Sequence, residues 1–172
     1  MKHIPRHALL VLLALGLTSC LFKEPIFTEG FSKADQAVAG VWMAEGDDGD
    51  PREREFAVLA PIGPESMMLH YPAGEKGGFY FEARPLKIRD RDLWQLRHAA
   101  SFEDGLPSGD ALTYTVIWAE PAGEGKLSIR SVSNEGPHTL GPEALKKALE
   151  DPKSDWNKLF GEAKVFTRLR DK

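Results

Sequence analysis

The side chains of this 172-residue chain that could do chemistry are few and scattered. Beyond the first twenty residues the histidines are His70, His98 and His138. None stands two or four positions from another histidine or a cysteine, so no local zinc-ligand spacing exists. The acidic run Glu45, Asp47, Asp48 and Asp50 offers the oxygen ligands that Ca²⁺ takes. Its spacing fits no EF-hand: placing Gly46 or Gly49 at the sixth loop position puts Val41 or Ala44 at the first. Arg52 and Arg54 interleave with Glu53 and Glu55, and the run reads as a solvated hairpin loop. For nucleophilic catalysis, Gly63-Pro64-Glu65-Ser66-Met67 lacks the second glycine of a nucleophile elbow. Ser154 precedes Lys158 by four positions rather than three, and no glycine-rich phosphate loop occurs. An enzyme is therefore not expected, nor a cofactor or a metal. Trp94, His98, Tyr114, Val116 and Trp118 are candidates to line an apolar cup, since ligand pockets are mostly apolar with a few polar groups.

Strands must position these residues. Val38–Ala44, Glu55–Ala60, Ser66–Tyr71, Phe79–Ile88, Asp92–His98, Leu112–Glu120 and Lys126–Ser133 are each bounded by Gly, Pro or Asp turn signals, Asp48-Gly49 being a good hairpin dipeptide. Residues 105–109 read as a loop. Alternation puts Trp94, Leu96 and His98 on one face, against Leu93, Gln95 and Arg97 on the other. Tyr114, Val116 and Trp118 share a face, as do Leu127 and Ile129. Helix enters late. Gly141-Pro142-Glu143 starts one, Leu145 and Leu149 fall on one side of it, and Asp151-Pro152 stops it. Ser154 is placed to cap a further turn carrying Trp156, Leu159 and Phe160. Lys164–Leu169 is a last strand. The expected fold is mainly β: an antiparallel barrel or strongly curved sheet with one short helical segment before the last strand.

The start of the chain carries an address. Lys2 and Arg6 precede the apolar run Ala8–Leu17, which is too short to span a bilayer, and Leu17-Thr18-Ser19-Cys20 follows. That ending resembles the lipobox of bacterial lipoproteins. The resemblance implies that 1–19 is a signal peptide, that cleavage follows Ser19, and that Cys20 is lipidated. Two or more acyl chains anchor stably where one does not. Leu21 stands where an Asp tends to retain such lipoproteins in the inner membrane, which favours the outer membrane of the cell envelope. Residues 20–37 are then the lipidated Cys20 and a tether, and 38–172 a single β-rich domain. Phe27 and Phe31 are apolar for a free linker, which points to docking on that domain. Removing Lys2 and Arg6 with the leader leaves 20 Lys and Arg against 26 Asp and Glu, a net charge of −6. Nucleic acid is excluded as a partner on that balance, because affinity there comes from neutralising phosphates.

Gly40-Val41-Trp42, opening the first strand, resembles the Gly-x-Trp motif of lipocalins and lipocalin-like lipoproteins. In that family the Trp closes one barrel end and packs on an Arg or Lys of the last strand, which implies Trp42 and Arg168 as a structural barrel-closing pair. The chain departs from the family in having Thr113-Tyr114-Thr115 where Thr-Asp-Tyr is usual, and in a helix before rather than after the last strand. The resemblance implies a non-catalytic binder of an apolar small molecule or lipid. The alternatives are an envelope protein–protein interaction module, such as an assembly factor or inhibitor, and an envelope hydrolase built around His98 or His138.

Overall fold

The computed structural model describes residues 21–45, 54–73, 77–103, 106–108 and 113–169. Cys20, the apolar run before it, and Asp47, Asp48 and Asp50 of the acidic loop lie outside the described residues. Among the described residues nine strands form one antiparallel sheet. They are β1 (Gly40–Ala44), β2 (Phe56–Gly63), β3 (Ser66–Ala73), β4 (Gly77–Ile88), β5 (Arg91–Glu103), β6 (Leu106–Ser108), β7 (Tyr114–Pro121), β8 (Lys126–Ser131) and β9 (Lys164–Arg168). The order β4-β3-β2-β1-β9-β8-β7-β5 is closed by a long β4–β5 hairpin, giving an eight-stranded barrel. The short β6 pairs only with β5, inside the segment expected to be a loop. Closure leaves none of the eight strands with an unpaired edge along its whole length.

Helix comes where expected. The helix α1 (Pro142–Glu150) buries Leu145 and Leu149 completely on one side. A single turn, α2 (Trp156–Leu159), follows. Asp155, not Ser154, caps it: the Asp155 carboxylate accepts from Asn157 N at 3.0 Å. Arg89, at the β4–β5 turn with φ 59°, donates to the carbonyls of Asp151 and Pro152 at 3.1 and 3.2 Å. A cation there complements the negative C-terminal end of α1.

Two apolar clusters result, one inside the barrel and one outside. The inner cluster includes Trp42, Leu59, Leu69, Phe81, Trp94, Leu96, Ile117, Leu127 and Phe166. The outer one packs Leu86, Leu93, Val116 and Trp118 of the barrel wall under Leu145, Leu149, Trp156, Leu159 and Phe160 of the helical segment and Phe22, Ile26 and Phe27 of the N-terminal segment. This explains why β7 is apolar at consecutive positions. Val116 to Ala119 are all buried, alternately by the barrel interior and by the helices.

Residues 21–35, expected as a tether, form a docked strap. Phe22 and Tyr114 exchange backbone hydrogen bonds at 2.8 and 2.7 Å. Further along, Ser32 N donates to Pro85 O and Ala34 N to Pro64 O. Between these ties, the buried Gln95 side chain accepts from Phe27 N at 2.7 Å and donates to Phe27 O at 3.0 Å. The strap thus runs down the outer wall, from the end where β7 begins to the end where β2 turns into β3. A 3₁₀ turn, Gln36–Val38, then leads into β1, with the Asp35 carboxylate accepting from Ala37 N.

Candidate functional site

The two ends of the barrel differ in what points inward. At the end where β1 begins and β9 finishes, Trp42 and Arg168 are cross-strand partners. The Arg168 guanidinium lies 6.0 Å from the Trp42 ring centre and donates to Ala37 O and Ala39 O at 2.9 and 2.6 Å. Trp42 Nε1 donates to Val38 O at 3.0 Å. Gly40 has φ 145°, and a Cβ there would sit 3.0 Å from Arg168 Nε. The Gly-x-Trp pattern therefore has a local cause: the glycine leaves the space through which the arginine reaches the 3₁₀ turn. Ala34 of the strap joins the inner cluster and completes this closed end.

At the opposite end, β2 begins, β3 finishes and β9 begins, and polar side chains face inward. Glu55, just before β2, continues the inward alternation of Ala57 and Leu59. Tyr71 continues that of Met67 and Leu69, and Lys164 that of Phe166. The three meet. The Tyr71 hydroxyl and the Lys164 ammonium both donate to Glu55 Oε2, and Lys164 Nζ lies 2.9 Å from the Tyr71 oxygen. Burial pushes the Tyr71 phenol well above its usual pKa, and the hydrogen bond to Glu55 and the charge of that carboxylate add to the rise. The phenol thus stays a proton donor at any physiological pH. At the same end, the ring of His98 contacts Phe79 and Phe81 at 6.0 and 5.7 Å, and its Nε2 is buried with no hydrogen-bond partner among the described residues. Beneath these groups lie Phe81, Trp94, Leu96 and Phe166.

The five residues proposed to line one cup are divided by the barrel wall. Register is the reason: Trp94 pairs with Ile117 and Leu96 with Thr115, so the inward face of β7 carries Thr115, Ile117 and Ala119. Trp94 and His98 face inward. Val116 and Trp118 belong to the outer cluster, and Tyr114 packs against it. A slip of one residue between the strands would have reversed this. The other histidines stand apart: His70 is on the outer wall, stacked on Tyr80 at 4.1 Å, and His138 is buried with Nε2 3.1 Å from Ser133 O. Glu55, Tyr71 and Lys164 escape a reading of motifs, because Lys164 stands 93 positions from Tyr71 and 109 from Glu55. Their signal is a polar residue at the inward phase of an otherwise apolar strand.

A concavity of about 260 Å³ lies on the outer wall beside the strap, lined among others by Pro25, Thr28, Arg84 and Tyr114. It is smaller than the ~300–1,000 Å³ usual for ligand pockets, and the Arg97–Glu82 ion pair at 2.6 Å belongs to its lining. Among the described residues no group of three or more His, Cys, Asp or Glu is arranged to hold a metal ion. None of the described helices is long and apolar enough to cross a membrane. No family model, no curated protein and no solved structure matches the chain.

Proposed function

We propose that this protein is a lipoprotein of the outer membrane, anchored through Cys20, that binds a small apolar molecule or lipid without catalysis. The ligand site in this reading is the open end of the barrel. The observation that carries it is the inward set Glu55, Tyr71, Lys164 and His98 above an aromatic floor. An amphiphile with one polar group fits such a site: its polar end meets Lys164 and Nε2 of His98, and its apolar part lies on Phe79, Phe81 and Phe166. The strap gives the anchor a further consequence. Phe22 is fixed beside Tyr114 at the open end. Two residues of extended chain reach at most ~7 Å, so a lipid on Cys20 would hold the opening against the bilayer, where apolar ligands are concentrated. Native mass spectrometry of the full chain, released from the envelope in mild detergent, tests this. A discrete adduct that is lost on denaturation, and weakened by Lys164→Ala with His98→Ala, is the expected result. A clean apo mass with fully folded protein would sink it.

One observation favours a second reading, an envelope interaction module. The outer wall away from the helices carries a cross-strand row, Val41–Val58–His70–Tyr80–Ala100, on β1 to β5. Leu169, bonded to Val41, is 44% exposed, and Ile62 on β2 is 57% exposed. A photocrosslinker at Ile62 that captures one envelope protein in cells, together with a clean apo mass, would decide for this reading.

A further inference from the structure

Of the buried side-chain nitrogens that lack a hydrogen-bond partner among the described residues, Trp118 Nε1, Trp156 Nε1 and Arg130 Nε fall in one place, where α2 packs on the outer wall. The two indoles meet edge to face, 5.6 Å between centres at 88°. Trp118 is 6% exposed and Trp156 2%. Two cations converge on them. The Arg91 guanidinium lies 4.4 Å from the Trp118 ring centre and 5.1 Å from that of Trp156, and the Arg130 guanidinium lies 5.1 Å from Trp118. Arg130 is the cross-strand partner of Trp118, so its place is set by the sheet.

Asp90, beside Arg91 in the chain, forms no ion pair with it among the described residues, and three other nearby acids are engaged elsewhere. Asp92 faces Lys87 at 3.9 Å, Asp151 accepts from Lys153 N, and Asp155 caps α2. Neither Arg91 nor Arg130 pairs with a carboxylate among the described residues. Among the described residues the side-chain acceptor that Arg130 meets is the neutral amide oxygen of Asn157, at 3.5 Å. Buried donors in native proteins are nearly always satisfied, and Arg91 on β5 and Arg130 on β8 bring two like charges to Trp118 from the strands on either side of β7. Cation–π contact alone does not use the N–H groups.

We propose that this cluster is a binding site for an oxyanion of the phosphate type, held by Arg91 and Arg130 and receiving hydrogen bonds from the indole N–H groups of Trp118 and Trp156. Guanidinium pairs bind such anions through short, charge-assisted hydrogen bonds. The site is separate from the open end of the barrel, and its existence does not depend on what binds there. A phosphate group comes either free in solution or on a phospholipid headgroup, and the chemistry of the site is the same for both.

The test is a titration of the full chain in neutral detergent, following the indole N–H resonances by NMR at constant ionic strength. The probes are inorganic phosphate and, separately, phosphatidylglycerol added to the micelles. The Trp42 indole, held by Val38 O, reports on folding. Saturable shifts of Trp118 and Trp156, with Trp42 unmoved, are expected. Arg91→Gln should weaken the apparent affinity about tenfold, and Arg91→Lys by less. Saturation by inorganic phosphate assigns a soluble oxyanion, and saturation only by phosphatidylglycerol assigns a headgroup. Failure of both probes to shift the two indoles would overturn the site. So would a response unchanged in Arg91→Gln while the Trp42 signal shows a native fold.

Discussion

The two ends of this barrel, one closed by Trp42 and Arg168 and the other lined by inward polar groups, are made from the same strands and answer opposite demands. At the closed end every inward group is apolar or tied to backbone: Trp42 to Val38, Arg168 to Ala37 and Ala39, with Ala34 as the plug. At the open end the same alternation delivers Glu55, Tyr71, Lys164 and His98 to the interior. A chain selected only for stability would continue the apolar pattern to the rim, because inward polar groups must be desolvated and paired. The difference separates an end whose inward groups are packed and tied to backbone from an end whose inward groups are polar. The sharpest way to break this comparison is Trp42→Ala. Truncating a buried Trp costs ~3–5 kcal/mol, so the unfolding midpoint in denaturant should fall by the corresponding amount. The remaining folded protein should keep its adduct. Loss of the adduct without loss of stability would mean that the two ends have been assigned the wrong way round.

The strap joins the two ends, from Phe22 at the opening to Ala34 at the seal, and Gln95 is its central fastening. Gln95→Ala removes the acceptor of the Phe27 N–H and the donor to the Phe27 carbonyl. Leaving buried backbone groups unpaired costs ~1–3 kcal/mol, and the loss should be local first. Hydrogen exchange at Phe27 is expected to accelerate ahead of exchange in β5 and β7. Uniform acceleration across the barrel would show that strap and barrel unfold as one unit.

The sequence made the barrel legible because its strands are short, regularly spaced and turn-bounded, and because Gly40-Val41-Trp42 announces the closed end. Pro142 and the Leu145/Leu149 pair marked the helix equally well. The site was less legible for a definite reason. Alternation along β5 and along β7 is visible in each strand separately, but which face of one adjoins which face of the other depends on register. The pairing of Trp94 with Ile117 sends Trp118 outside, and both faces of β7 are apolar, so composition does not distinguish them. Gln95 was visible only as a polar residue opposite Trp94. Its task required knowing that the segment around Phe27 returns to the wall. Glu55, Tyr71 and Lys164 are joined by closure of the sheet through β9, a contact with no trace in local spacing.

Within the open end, Tyr71→Phe is a milder probe than truncation at the closed end. It deletes one donor to Glu55 and keeps the ring against Phe166, whose centre is 5.9 Å away. The expected cost is ~1 kcal/mol, since Lys164 still reaches Glu55 and this part of the barrel is partly open to solvent. The larger effect should fall on the ligand, because the Lys164 ammonium then has one hydrogen bond fewer to hold its position. A change in stability of several kcal/mol with unaltered adduct would reassign the trio from binding to structure.

The smallest effect separates the two ends by pH. His70 sits on the outer side of the open end, stacked on Tyr80. It packs against Gly78, where a Cβ would lie 2.7 Å from His70 Nε2 and 2.2 Å from Pro72 O. Burial holds the imidazole below its ordinary pKa, with a backbone hydrogen bond at Gly77 opposing the shift. The fold therefore prefers neutral His70. Its contribution is fully present above the unfolded pKa of about 6.5 and is lost as pH falls through the lower folded value, because the unfolded chain takes up the proton first. Arg168 stays charged throughout this range, so the closed end has no matching response. The quantity to measure is the difference in unfolding midpoint between the wild-type protein and His70→Gln from pH 8 down to pH 5. It should be constant above about pH 6.5 and move against the wild type below it, with exchange at β3 and β4 accelerating before exchange at β1. A difference that moves in favour of the wild type on acidification would mean that His70 is stabilised as the cation, and that a carboxylate faces it in solution.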